Sequence, residues 1–91
     1  MRKHGRSSIE ILSDILTTTY EEGKSSKTRI MQRAYLNPKT FQKYFNFLLN
    51  QNYVTLANND DRTVYIITNE GKNILYVLRQ VNKIVSIQDK K

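Results

Sequence analysis

A chain of 91 residues, 38% hydrophobic and 25% charged, has the size and composition of one small globular domain. The absence of cysteine excludes disulfide scaffolds, thiolate zinc sites and thiol catalysis, and His4 alone cannot build a metal site. The longest apolar runs, residues 74–78 and 64–67, are far shorter than the roughly 20 residues of a membrane helix.

The N-terminal residues are not expected to form a signal peptide. Arg2 and Lys3 could begin one, but Glu10 and Asp14 interrupt the apolar stretch that would have to follow. We therefore expect a cytoplasmic protein without a membrane partner.

Positive charge is concentrated in one part of the chain. The net charge is +7, from 15 basic and 8 acidic residues. Residues 23–59 contain six basic residues and no acidic one, so the other nine basic and eight acidic residues sum to +1. The six are Lys24, Lys27, Arg29, Arg33, Lys39 and Lys43. This segment should attract a polyanion, although a solvated basic face without a partner is an alternative.

Two helices are predicted in the N-terminal third. Ser7 and Glu10 have the spacing of a capping box, which predicts a first helix over about residues 8–21, and Gly23 is a suitable stop. A short second helix follows, capped by Ser25 or Ser26. Its inward-facing residues would be Ile30, Met31 and Ala34.

A third helix is predicted directly after a tight turn. Pro38 ends the second helix and suits the first position of the next, with Asn37 as its cap. On the helix at 38 to about 50, periodicity places an apolar side opposite a polar one. The apolar side holds Phe41, Tyr44, Phe45 and Leu48, and the polar side holds Lys39, Gln42, Lys43, Asn46 and Asn50. A surface helix usually mixes Glu with Lys, whereas this helix has no carboxylate. The missing carboxylates favour a side that contacts phosphates and base edges over one that is only solvated.

The C-terminal half predicts a β-hairpin and a long helix. Residues 53–57 and 63–68 are rich in strand formers and are separated by a turn at 58–62. Thr68 can cap a last helix that continues to about residue 87. Its apolar side comprises Ile74, Val77, Leu78, Val81, Ile84 and Val85. A domain this small has little surface to cover the distal members, so we expect these six residues to form the interface of a homodimer.

This order of elements is that of a winged helix-turn-helix, and four blocks resemble the small archaeal winged-helix proteins. The blocks are RSSIEI at 6–11, KTRIM at 27–31, KYFNFLL at 43–49 and YIITNEGK at 65–72. The resemblance implies a mainly α fold with a small β-hairpin (α+β), DNA binding as a dimer held by the C-terminal helix, and a regulatory or chromatin-associated role. The implied parts are a basic arm at 1–7, a winged-helix body at 8–68 and a dimerisation helix at 69–88.

We expect the third helix to read duplex DNA in the major groove, where amides bond adenine and lysine reaches guanine. The neighbouring cations would contact phosphates. The expected DNA-binding residues are Lys27, Arg29, Arg33, Lys39, Thr40, Gln42, Lys43, Asn46 and Arg62. The expected partners are double-stranded DNA and a second copy of the chain, with no cofactor, metal or small-molecule ligand.

The residues are less favourable for several other functions. Scattered carboxylates, without a nucleophile or phosphate-loop motif, argue against an enzyme. The six tyrosines could stack unpaired RNA bases, but Tyr20, Tyr35 and Tyr44 fall on or beside apolar stripes, which favours core packing. Residues 58–61 lack the Gly and Glu of a calcium loop and are read as a turn. A nonspecific nucleoid protein and a protein–protein module of a transcription complex remain alternatives.

Overall fold

The structure, a computed structural model, describes the backbone of residues 6–89 and the side chains of residues 6–84. Its elements are α1 (Ser8–Glu22), α2 (Lys27–Arg33), α3 (Pro38–Asn50), β1 (Val54–Asn59), β2 (Arg62–Ile67) and α4 (Asn69–Asp89). The predicted order and the mainly α fold with one hairpin are confirmed. The expectations for Arg2, Lys3 and His4, and for the side chain of Val85, lie outside the described residues. No helix within residues 6–89 is long and apolar enough to cross a membrane.

All four helices begin at a polar side chain that accepts a hydrogen bond from a backbone N–H three residues on. These caps are Ser7, Ser26, Asn37 and Thr68. The capping box at α1 is complete, because Glu10 Oε1 also accepts from the Ser7 N–H at 2.8 Å. Of the two candidate caps for α2, Ser26 takes that role, while the Ser25 backbone pairs with Tyr65 of β2.

The core lies where α1, α2 and α3 meet the hairpin. Ile15, Leu16, Ile30 and Phe45 are fully buried. The Phe45 ring stacks on Phe41 with centroids 4.8 Å apart and meets the Tyr65 ring edge-on at 5.0 Å. Burying each such side chain contributes roughly 1.5 to 3 kcal/mol to folding, so these residues determine how α3 sits on the domain.

The hairpin turn is tighter than predicted. Cross-strand pairs run from Val54–Ile67 to Asn59–Arg62, so the turn consists of Asp60 and Asp61 alone and not of residues 58–62. Asp60 adopts a positive φ of 57°, which a short polar side chain tolerates in a two-residue hairpin turn. The strands therefore extend into a segment whose composition indicated a loop.

The buried side of α4 differs from the predicted apolar side in three residues. Leu75, which was not in the predicted set, is buried, whereas Val77 is 49% and Ile84 is 57% exposed. Ile74 and Leu78 pack against the core as expected of an inward side. Helix α1 packs on α4, and Leu75 lines a depression together with Tyr20 of α1, so the buried side of α4 is turned toward α1 and away from Val77.

Core packing is the wrong interpretation for two tyrosines. Tyr20 is 52% exposed and Tyr35 is 86% exposed, although Tyr44 is half-buried against the core. Tyr35 follows the end of α2 with a φ of 57°, which turns its side chain away from the stripe that helical periodicity assigned to it. Tyr20 lies near the end of α1 and borders a depression with Lys72, Leu75, Tyr76 and Arg79 of α4, which leaves its ring half exposed.

Candidate nucleic-acid interface

Helix α3 presents a polar side to solvent because its other side is fixed in the core. Phe41, Phe45 and Leu48 are buried at a spacing of three and four residues. The exposed side consists of Lys39, Gln42, Lys43, Asn46 and Asn50. Thr40 is half-buried, and its N–H donates to the Asn37 cap at 2.9 Å. The predicted polar side is confirmed, whereas the role of its residues remains a prediction.

Two amides one helical turn apart form a pair on this side. Gln42 Nε2 donates to Asn46 Oδ1 at 2.7 Å. This bond uses one donor and one acceptor, so the Gln42 oxygen and the Asn46 NH₂ group remain for a ligand. A donor beside an acceptor is the set that the major-groove edge of adenine requires.

A depression of about 180 Å³ lies between α2 and α3. It is lined by Lys27, Thr28, Met31, Pro38, Phe41 and Gln42. Lys27 Nζ lies 5.8 Å from the centre of the Phe45 ring, which holds the lysine beside the α3 surface. The tertiary structure thus places a cation of α2 next to an amide of α3.

Thr28 is a residue that the sequence prediction missed. It is exposed and contributes a hydroxyl to this depression. The available signal was its position beside Lys27 in the first turn after the Ser26 cap, on the side that faces the following helix.

Arg29 and Arg33 share a carboxylate that precedes the basic segment. Arg29 Nε donates to Glu22 Oε1 at 2.8 Å, and Arg33 Nη1 lies 3.3 Å from Glu22 Oε2. The hydrogen bond from Arg29 holds the pKa of Glu22 below its ordinary value, and the charges of both arginines add to this against the opposing effect of burial. The charge of residues 23–59 is therefore partly compensated, and four of its six cations have no carboxylate partner among residues 6–84.

Arg6 ties α1 to the turn between α2 and α3. One guanidinium nitrogen contacts Asp14 Oδ2 at 2.7 Å and the Ala34 carbonyl at 3.0 Å, and the other donates to the Tyr35 carbonyl at 2.6 Å. A cation on the last carbonyls of a helix is stabilising. Although assigned to a basic arm, Arg6 fixes the geometry on which the candidate interface depends.

Arg62 lies apart from the other predicted DNA contacts. It is exposed at the start of β2, beside Asp60 and Asp61, and it does not line the depression between α2 and α3. The wing therefore offers one cation next to two carboxylates.

The predicted dimer residues divide between two surroundings. Ile74 and Leu78 line an apolar groove of about 180 Å³ together with Leu12, Leu16, Phe47, Leu48 and Tyr53. Val81 is half-buried, and Ile84 is 57% exposed. An uncovered apolar surface thus runs from the exposed Phe47 ring along α4.

Comparisons with known proteins agree with this architecture. Sso10a-2, a DNA-binding protein from Sulfolobus solfataricus, superposes with a TM-score of 0.80 at 29% identity over 93% of this chain and 87% of its own. An uncharacterised protein of Methanocaldococcus jannaschii is 29% identical over 85 residues, which are 93% of this chain and 82% of the relative.

More distant structures share the fold alone. ZitR of Lactococcus lactis, solved in complex with DNA, superposes with a TM-score of 0.60 at 15% identity over 98% of this chain and 62% of its own.

The family model described as "Winged helix-turn-helix" matches residues 5–86, which is nearly the whole chain. The chain therefore belongs to the winged helix-turn-helix family.

Proposed function

We propose that the protein is a DNA-binding transcriptional regulator that reads duplex DNA with α3, in the cytoplasm and on the nucleoid. The observation that carries this proposal is the polar side of α3, whose exposed polar groups are amides and ammonium groups without a carboxylate, on a helix anchored by buried aromatic rings. The likeness to Sso10a-2, at 29% identity over most of both chains, supports the same role. This role is one of binding, without a catalytic step.

Within this proposal the α3 side chains divide by chemistry. Gln42 and Asn46 would bond adenine through the donor and acceptor that their mutual bond leaves available. Lys39 and Lys43 would reach guanine or the flanking phosphates. Thr40, half-buried at the start of the helix, would approach the backbone only.

Cations outside α3 would hold the phosphate backbone. Lys27 lines the depression together with Gln42 and so lies beside the reading surface. Arg29 and Arg33 can contribute while paired with Glu22, because a guanidinium has five N–H donors and these bonds use few of them. Arg62 would add one contact from the wing.

We further propose that the active form is a homodimer joined through α4. Val77 and Ile84 are about half exposed on the same side of the helix as the groove that Ile74 and Leu78 line. Full burial of an exposed apolar side chain contributes roughly 1.5 to 3 kcal/mol. These two side chains are about half exposed, so a partner that covers them adds about half of that amount for each. A two-fold partner covers them and sets two copies of α3 about one DNA turn, roughly 34 Å, or a multiple of it, apart.

A binding titration with a random duplex and a genomic fragment pool, at several salt concentrations, tests DNA binding. If a dimer neutralises about five to eight phosphates, log K falls with log salt at a slope of roughly −4 to −7. A slope near zero would contradict DNA binding and favour a protein–protein module.

Replacing Gln42 by Ala tests base reading separately. The variant should lose about 1 to 3 kcal/mol of discrimination at one base pair and keep its affinity for random DNA. Asn50→Ala, on the same side near the end of α3, is the matched control. Equal losses on selected and random DNA would favour a nonspecific nucleoid protein instead.

A further inference from the structure

A second basic surface lies between α1 and α4. It is a depression of about 200 Å³ that we call the α1–α4 patch, lined by Tyr20, Lys72, Leu75, Tyr76 and Arg79. None of these residues belongs to α3, to the wing or to the predicted dimer side. The proposed reading of duplex DNA therefore leaves this patch without a role.

The patch combines aromatic rings with cations over an apolar floor. Leu75 is buried, whereas Tyr20 is 52% and Tyr76 is 66% exposed. Lys72 Nζ lies 5.9 Å from the centre of the Tyr20 ring. Arg79 Nη2 donates to Thr17 Oγ1 of α1 at 3.2 Å, which orients the guanidinium along the edge of the patch.

Among residues 6–84 these cations are not paired with a carboxylate. The lining residues include none, and within residues 6–84 neither Lys72 nor Arg79 forms an ion pair. Glu70, the acidic residue in the first turn of α4, lies two residues before Lys72 and so projects from the opposite side of the helix. The patch therefore carries positive charge without a paired carboxylate in the described part of the chain.

The cations follow a line along α4. At about 100° per residue, Lys72, Tyr76, Arg79 and Lys83 fall within a sector of roughly 60°, and they span about 16 Å of the helix. The exposed Val77 and Ile84 lie on a separate sector of the helix, and each is at least about 80° away from every residue of this line. A second copy bound to the apolar side would thus leave the line open.

We propose that the α1–α4 patch binds single-stranded nucleic acid. An unpaired base stacks on a tyrosine ring, and the phosphates on either side of it meet Lys72, Arg79 and Lys83. Duplex DNA offers the phosphates but keeps its bases stacked inside, so it would leave the two exposed rings unused. The volume of about 200 Å³ is below the roughly 300 to 1,000 Å³ of pockets that enclose a drug-sized ligand, and it suits one base of a longer strand.

Binding of a labelled oligothymidylate of about 12 nucleotides, followed by fluorescence anisotropy, tests this proposal. Tyr76→Ala should weaken strand binding roughly 5- to 150-fold, the range expected for loss of one base–aromatic stack, and Tyr76→Phe should retain it. Lys72→Ala should weaken strand binding and leave duplex binding within about two-fold of the unaltered protein. Lys43→Ala is the matched control on α3 and should do the reverse.

Several results would overturn the proposal. These are no strand binding by the unaltered protein, unchanged binding by both Tyr76→Ala and Tyr20→Ala, or equal loss in Lys43→Ala and Lys72→Ala. Competition by thymidine monophosphate as effective as that of the strand would also overturn it, because the site would then take a single nucleotide. Circular dichroism checks that each variant is folded. If the unaltered protein binds the strand but not duplex DNA, the proposed duplex reading fails and the strand proposal stands.

Discussion

Helices α3 and α4 are both amphipathic, but the domain covers their apolar sides to different extents. On α3 the apolar residues Phe41, Phe45 and Leu48 are all buried. On α4 Leu75 is buried, whereas Val77 and Ile84 remain about half exposed. An amphipathic pattern thus shows which side of a helix is apolar, but not whether the same chain covers it.

The difference follows from the lengths and neighbours of the two helices. Helix α3 has 13 residues and lies between α1 and β1. Helix α4 has 21 residues, about 31 Å, and packs on α1, whose 15 residues span about 22 Å. The distal part of α4 therefore extends past its main support and leaves apolar side chains uncovered, which is where the proposed homodimer contact lies.

The largest expected effect is on the covered helix. Phe45→Ala should destabilise the fold by about 3 to 5 kcal/mol, because it removes a ring that contacts both Phe41 and Tyr65. Phe47→Ala, on the same helix but exposed, should cost about 1 kcal/mol or less. Urea denaturation measures both. Similar losses for the two variants would mean that a partner also covers the outer ring.

The start of α4 offers the next largest effect. A Cβ added at Gly71 would overlap the Tyr53 carbonyl oxygen and meet Ile67 Cγ1 at 2.7 Å, so Gly71→Ala forces α4 away from β2 and should lower the free energy of unfolding by about 3 kcal/mol. Gly23→Ala is the control, since its Cβ would have nothing within 4 Å and only its backbone conformation, with φ 78° and ψ −86°, opposes it, at about 1 to 3 kcal/mol. Thermal unfolding compares the two, and a milder effect at Gly71 would show that α4 can shift without loss of packing.

On the uncovered helix we expect loss of association with little loss of stability. The double change Val77→Lys and Ile84→Lys should give a folded monomer. Its free energy of unfolding should be within about 0.5 kcal/mol of that of the unaltered chain, measured at a concentration where neither dimerises. Its DNA affinity should fall strongly, because the two half-sites are no longer tethered. The pair Asn73→Lys and Gln80→Lys adds the same charges at the same spacing on polar positions at the margin of the apolar side of α4 and should weaken dimerisation less. Sedimentation at micromolar concentration decides this, and a monomeric unaltered protein with normal DNA affinity would refute the proposed dimer.

The smallest effect concerns Glu22, which links α1 to α2. Its pKa is lowered in the folded state by the Arg29 hydrogen bond, so its contribution to stability is present above the ordinary carboxyl pKa and is lost as the pH falls through the lowered value. Glu22→Gln should therefore unfold at a lower temperature than the unaltered protein at neutral pH, and the two should converge in acid. The variant should also bind duplex DNA a few-fold more tightly, since Arg29 and Arg33 are released for phosphates. A stability difference that persists in acid would show that the contact depends on shape rather than charge.

Much of the fold could be predicted because it depends on neighbouring residues. The caps at Ser7 and Asn37 are bonds between residues three apart, and the two sides of α3 follow from its period. The turn at Asp60 and Asp61 was predicted too long, because polar composition alone does not distinguish a loop from paired strand ends.

The sequence by itself determined where the helices begin, which side of α3 is polar and where the basic segment lies, because these depend on spacing along the chain. Only the tertiary structure decided that Glu22 pairs with Arg29 and Arg33, seven and eleven residues away across a change of direction. It also decided that Leu75 is buried and that Tyr20 and Tyr76 are exposed on one patch beside Lys72. Such contacts depend on the angle and offset at which two helices cross. The packing of the whole core determines that angle and offset, and no pattern of neighbouring residues specifies them.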